Sequence, residues 1–301
     1  MAKLPSYATP LERIWHYSYL LICTCIFIFL IAPILIIVPL SFNAEPYFTF
    51  TEGMLSFDPD AFSLRWYKDI LYNGMADPGA SYANGWFSDM WNNAQWIRAT
   101  RNSFFIAICA TILATGFGTL AALGLSRPEM PYRSLITSLL ISPMIVPLVI
   151  TATGMFFFYS TRNMFPFYPD GLAKTYLGVI LAHTTLGIPF VIITVTATLT
   201  GFDQSLIRAS QGLGASGWTT FRQVIMPLIL PGMISGALFA FITSLDEVVA
   251  VLFLADVDQR TIPRQMWSGI REQISPTILA VATILVVISI FLLTTVELLR
   301  R

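Results

Sequence analysis

Two adjacent carboxylates, Asp246 and Glu247, lie in the interior of a long apolar run, Leu228–Ala255. A carboxylate in such a setting costs about 2.5–3.5 kcal/mol even on lenient insertion scales, and residues of this kind mark ion or solute paths. Neighbours on a helix point about 100° apart, so both cannot face one path from an unbroken helix. The run would also extend about 42 Å as a continuous helix against a hydrocarbon core of about 30 Å. A break or tilt near Ser244–Glu247 is therefore expected. One reading makes the pair a cation-attracting step in a translocation path; the other makes it a solvated helix end at the outer interface. His183, beside Thr184 and Thr185 in another apolar run, reads either as a neutral imidazole bonded across a helix interface or as part of a path.

Other chemistry is missing from the chain. The histidines are His16 and His183, so no zinc-protease pair exists, and no nucleophile–base constellation is evident. The lysines are Lys3, Lys68 and Lys174, preceded by Ala, Tyr and Ala, which excludes the Gly-Lys-Ser/Thr end of a phosphate-binding Walker loop. Cys23, Cys25 and Cys109 sit in apolar runs and suggest neither a disulfide nor a metal site. No cofactor is implied, and the chain is not expected to be an enzyme. Uphill transport would draw its energy from another subunit or an ion gradient.

The elements that position these residues are set by composition. Of 301 residues, 55% are hydrophobic and only 11% charged, with a mean hydropathy of +0.70. Soluble domains carry about 25% charged residues, so a water-soluble fold is excluded and a polytopic membrane protein remains. The net charge of zero suggests no nucleic-acid partner. Six runs are long and apolar enough to span a bilayer: Tyr17–Leu40, Ser103–Leu123, Leu135–Ser160, Tyr176–Leu199, Leu228–Ala255 and Thr277–Leu298. The first is too long for a signal-peptide core, lacks a small-residue cleavage site and ends in Pro39-Leu40, so it reads as a retained anchor.

Six spans put both termini on one side. The short segments there hold Lys3, Arg13, Arg127, Arg133, Arg208, Arg222, Arg300 and Arg301, against Arg162, Lys174, Arg260, Arg264 and Arg271 on the other side. The positive-inside rule then places both termini in the cytoplasm. The organisation expected is a cytoplasmic N-terminus at 1–16, a first span at 17–40, an external loop at 41–102, a core of five spans at 103–298 and a cytoplasmic end at 299–301. Prolines at 143, 147, 189, 227 and 231 interrupt or border spans. Such breaks are tolerated where protein or a cavity satisfies the freed carbonyls, which favours a bundle with a pathway over a passive anchor.

Two polar segments stand out. The loop 41–102 holds Trp66, Tyr67, Tyr72, Tyr82, Trp86, Trp91 and Trp96; these form either an aromatic belt at headgroup level or a docking surface for an external partner. The segment 201–227 lies on the cytoplasmic side. Asp203 is placed as an N-cap, and Leu206, Ala209, Ser210 and Leu213 recur at helical spacing. Gly214 suits the left-handed residue that stops the helix. Ser216 can cap a second short helix with Trp218, Phe221, Val224 and Ile225 on its apolar side, ending at Pro227. The pair reads as a helix–turn–helix able to enter a groove on a partner, or as an amphipathic pair lying on the membrane.

Arg208-Ala209-Ser210, Gly214-Ala215, Phe221 and Met226-Pro227 resemble the EAA loop of ABC-importer membrane subunits: Glu-Ala-Ala, three residues, Gly-Ala, five residues, Phe and a closing Leu-Pro. Arg208 stands in place of Glu, Ser210 of the second Ala and Met226 of Leu. Ser41-Phe42-Asn43, the stretch Phe62-Ser-Leu-Arg-Trp-Tyr67, Ser142-Pro143, Ser244-Leu-Asp-Glu247 and Ile274-Ser-Pro276 are similar to spermidine/putrescine permease subunits of the PotC type. The insert around Asn73–Gln95 is longer than usual for them.

The resemblance implies an all-α membrane protein with the six-helix, MetI-like architecture of a type I ABC importer permease, in a bacterial inner membrane. It implies a cytoplasmic ABC ATPase dimer that drives transport through the 201–227 loop, a second homologous permease subunit and a periplasmic solute-binding protein. It matches Asp246 to an Asp of the family and suggests a small cationic solute such as spermidine or putrescine. An amino-acid- or opine-like solute is the alternative. An ion-coupled secondary transporter would require inverted repeats and further intramembrane charges, and neither is evident.

Overall fold

The computed structural model describes residues 9–79, 85–127, 129–201, 203, 205–272 and 275–300. Lys3, Tyr82, Ile274 and Arg301 lie outside the described residues, as does the first half of the 1–16 segment. The helices run in the order α1 (Pro10–Leu40), α2 (Glu52–Leu55), α3 (Arg65–Tyr72), α4 (Trp86–Asn93), α5 (Gln95–Leu125), α6 (Arg133–Ile145), α7 (Leu148–Tyr159), α8 (Tyr176–Thr200), α9 (Ser205–Gly212), α10 (Gly217–Thr220), α11 (Met226–Asp246), α12 (Val249–Leu254), α13 (Ile262–Glu272) and α14 (Thr277–Arg300). No strand is formed among the described residues; Asn43–Phe62 and Phe165–Tyr168 are isolated bridges.

Among the described residues, α1, α5, α8 and the continuous helix Gly217–Asp246 are each long and apolar enough to cross a membrane. The bent pair α6–α7 makes a fifth candidate, and α14 has a shorter apolar stretch, Thr277–Phe291. The run read from sequence as one span, Leu135–Ser160, is two helices bent by 103°. The break follows from Pro147, which has no N–H to donate and pushes Val146 out of the helical region to φ −70°, ψ 136°. The second span also differs: α5 begins at Gln95, eight residues before Ser103, because its polar first turns are helical without being apolar.

The chain forms two compact units, residues 1–74 with 269–301, and residues 75–268. In the first, α14 packs against α1 and α3. Helix α1 opens with a reciprocal capping box: the Glu12 N–H donates to Thr9 Oγ1 and the Thr9 N–H to the Glu12 carboxylate. Its apolar side chains are exposed around the helix, as in a helix solvated by lipid. The two motifs at 41–43 and 62–67 meet just after it. The Trp66 Nε1–H donates to the Asn43 carbonyl at 2.7 Å, the Ser63 N–H to the Phe42 carbonyl at 2.7 Å, and the Ser41 hydroxyl lies 2.7 Å from the Tyr67 hydroxyl. Asn43 is fully buried and its amide holds the Tyr47 and Thr49 carbonyls. The Thr277 hydroxyl donates to Asp69 on α3 at 2.6 Å. These motifs are knots that fix turns.

The second unit is built on α5, α8 and α11. Gly232, Gly236, Ala240 and Ser244 form a buried stripe on α11, a small-residue spacing that lets helix backbones approach closely where lipid supplies no hydrophobic drive. A Cβ on Gly236 would lie 2.8 Å from the Val191 Cα of α8, and one on Gly118 of α5 would lie 2.6 Å from the Val191 Cβ. At one end of this unit, buried Asn102 donates to the Asp258 and Arg260 carbonyls at 2.7 and 3.0 Å, and the Tyr176 hydroxyl donates to Asp258 O at 2.8 Å.

Candidate functional site

Among the described residues, the turn between α8 and α11 is closed by bonds within the turn. Asp203 accepts from the Ser205 N–H at 2.8 Å. Its carboxyl is held below the ordinary aspartate value by the Ser205 side chain first and the Ser205 N–H second, with Arg208 a smaller influence. Helix α9 then ends with the Ala215 N–H bonded to the Ser210 carbonyl and the Gly214 N–H to the Gln211 carbonyl. That pair of bonds closes a Schellman cap, and Gly214 occupies its left-handed position at φ +81°. Ser216 caps α10 by accepting from the Thr219 N–H at 3.2 Å.

The departure at Ser210 has a structural use: its hydroxyl lies 2.9 Å from that of buried Thr220, joining α9 to α10. Arg208 and Ala209 are exposed on α9, Ala215 and Phe221 are half-buried, and Pro227 is exposed. The apolar surface lies elsewhere. Leu213 is 89% and Trp218 70% exposed on either side of Gly214-Ala215, and Leu206 is also exposed. Their apolar character and helical spacing were legible from sequence, and the structure leaves them exposed.

Pro227 does not separate the second short helix from α11. Residues Phe221–Ile225 form a π-helical turn, with the Met226 N–H reaching the Phe221 carbonyl. A wider turn here fits the proline, which cannot donate the next i→i−4 bond. Gly217–Asp246 consequently runs as one 30-residue helix, about 45 Å long at 1.5 Å per residue.

At the far end of that rod the two carboxylates part. Helix α11 ends at Asp246, Glu247 turns extended (φ −74°, ψ 121°), and α12 restarts at Val249. Glu247 is buried and accepts from the Ala250 N–H at 2.8 Å, so its charge meets free N–H groups at the start of α12. Asp246 is exposed and has no hydrogen-bond or ion-pair partner among the described residues. As the last residue of α11 it adds a negative charge to a helix end that is already partially negative, which is unfavourable alone and favourable around a cation. Carbonyls at the ends of broken membrane helices serve cations in the same way.

One turn back, the Ser244 hydroxyl lies 2.7 Å from His183 Nδ1 on α8. Both residues are buried, and His183 Nε2 has no partner among the described residues. This bond pins the last turn of α11 to the core. Among the described residues no cluster of His, Cys, Asp or Glu is suited to a metal ion.

The second unit thus combines broken apolar helices with a capped turn that runs into a helix ending in a carboxylate without a partner among the described residues. Residues 114–301 match the family model described as binding-protein-dependent transport system inner membrane component, and the chain belongs to that family. It is 31% identical over 246 residues to the spermidine/putrescine transport system permease protein PotC of Haemophilus influenzae, covering 82% of this chain and 88% of the relative. It is 28% identical over 290 residues to the putrescine transport system permease protein PotI of Escherichia coli, covering 95% and 89%. The crystal structure of a bacterial ABC transporter involved in the import of the acidic polysaccharide alginate shares the fold, with a TM-score of 0.69 at 13% identity over 97% of this chain and 99% of that one. The chain is thus an inner-membrane permease component of an ABC importer, with ATP hydrolysis belonging to a separate subunit. Since the shared fold also occurs in a transporter for an acidic polymer, fold alone does not name the solute.

Proposed function

We propose that this permease moves a small organic cation of the spermidine or putrescine kind inward, with Asp246 receiving it at the outer end of α11. The observation that carries this reading is the rod Gly217–Asp246, with an apolar knob at one end and an unpaired carboxylate at the other. Leu213 and Trp218 enter a groove on one subunit of a cytoplasmic ABC ATPase dimer. Burying each is worth about 1.5–3 kcal/mol, and closure of the dimer then moves α11 as a body. A second, homologous permease completes the path, and a periplasmic binding protein delivers the solute. Both termini face the cytoplasm, as does the 201–227 turn. The names of the PotC and PotI relatives support the polyamine class, and the lone carboxylate supports a cation.

Purification of the chain with its neighbouring gene products tests this. ATPase activity should co-elute and rise on addition of putrescine or spermidine with the binding protein. Co-elution without that rise would remove the polyamine, and absence of an ATPase would remove the coupling role of the turn.

A further inference from the structure

The helix α4 lies in the insert that the transport reading leaves unused, and its two faces differ. Its polar face is consumed locally: Asp89 accepts from the Ala76 and Asp77 N–H groups at 3.2 and 2.9 Å and from the Asn93 amide at 2.6 Å. Those bonds, the Asp77 N–H foremost, hold the Asp89 carboxyl below its ordinary value. Met90 is buried beneath the helix. The opposite face leaves Phe87 62% and Trp91 46% exposed, with their rings stacked at 6.4 Å.

Helix α5 fixes the level of that face. Phe105, Ile108 and Ile112 are exposed along α5 and follow Arg101 at helical spacing, so Arg101 heads an apolar stripe on a membrane-spanning helix. The Arg101 guanidinium lies over the Trp91 ring, 5.4 Å from its centroid, and donates to the Trp91 carbonyl at 3.3 Å. Arg101 lies about 6 Å beyond Phe105 along the helix axis, and Trp91 sits beside it, where the stripe passes from hydrocarbon side chains to charge. Aromatic rings and cationic side chains concentrate at that level of a bilayer.

We propose that Phe87, Trp91 and Arg101 form an interfacial anchor that seats α4 on the lipid headgroups at the N-terminal end of α5. In the orientation proposed above this is the outer leaflet. The aromatic rings lie among the upper acyl carbons and the guanidinium meets lipid phosphate. The insert thereby fixes the height and tilt of α5, the helix that also carries Asn102 and the α8 contact.

The test uses the full chain in phosphatidylcholine–phosphatidylglycerol vesicles, alone and with its co-purifying subunits. Subtracting the emission of Trp91→Phe from that of the parent isolates Trp91. Lipid brominated at acyl carbons 6 and 7 should quench at least about half of that component, while aqueous iodide should quench it several-fold less than it quenches free tryptophan. A polarity-sensitive dye on Phe87→Cys should shift to the blue on reconstitution. Strong iodide quenching without lipid quenching would overturn the proposal. So would lipid quenching of the lone chain that disappears when the second permease or the binding protein is added, which would assign the face to a protein partner. The quenching reads depth rather than transport, so it can fail while the transport reading stands, and the reverse.

Discussion

The two ends of the Gly217–Asp246 rod solve opposite problems with the same backbone. Near the turn, the capping bonds among the described residues close within a few residues, at Gly214, Ser216 and Asp203, and apolar side chains are left outside. At the far end the helix stops with a carboxylate left outside, while Glu247, its neighbour, is drawn in to cap the next helix. A stiff helix joins surfaces of different chemistry without blending them. Exposed hydrocarbon seeks a protein groove, and an exposed anion at a helix C-terminus seeks a cation.

Deleting both knobs at the turn should have the largest effect. Leu213→Ala with Trp218→Ala removes about 3 kcal/mol or more of transferable burial, so ATPase affinity measured by titration should fall more than about a hundredfold. Retained affinity would mean that the turn is not the docking surface. Gly214→Val comes next. A β-branched residue at φ +81° costs about 1–2 kcal/mol, and solute moved per ATP hydrolysed should fall roughly tenfold while the chain still inserts. Unchanged stoichiometry would show that the turn is not the joint.

Asp246→Asn should raise the half-saturating concentration for putrescine about fivefold, a loss of about 1 kcal/mol of favourable charge, with uptake of a neutral analogue unaffected. Glu247→Gln should instead lower the thermal midpoint, through about 1 kcal/mol of lost capping, with selectivity unchanged. If the two substitutions gave the same phenotype, the division between path and cap would be lost. The smallest effect concerns Asp203, whose carboxyl is depressed in the folded turn. Its contribution is present above the ordinary value of 3.8 and is lost as pH falls through the depressed one. The Ser205 amide resonance should therefore titrate with a midpoint below 3.8; a midpoint at or above it would remove the bond.

Most of the turn was legible from sequence because its structure is local. Gly at a helix stop and Ser at a helix start each fix a conformation through neighbouring bonds, as Gly214 and Ser216 do. The break between Asp246 and Val249 was foreseen from length and charge, since no straight helix could hold both carboxylates in one path. The different fates of Asp246 and Glu247 were not legible, because they depend on α12 restarting at Val249. The π turn was hidden as well. Pro227 reads as a boundary in one dimension, whereas the chain absorbs it by widening one turn. Pro147 looked equivalent and instead bends its run by 103°. The bonds joining residues 41–43 to 62–67 link segments about twenty residues apart, beyond the reach of periodicity.

The central claim is that the turn sets coupling and the carboxylate sets solute affinity, through one rod. The most direct test is the ratio of putrescine imported to ATP hydrolysed, measured against putrescine concentration in vesicles holding the complete importer. Gly214→Val should lower the ratio and leave the half-saturating concentration where it was. Asp246→Asn should keep the ratio and raise that concentration. If both variants moved the same parameter, the two ends of the rod would not carry separate tasks, and the account would be wrong.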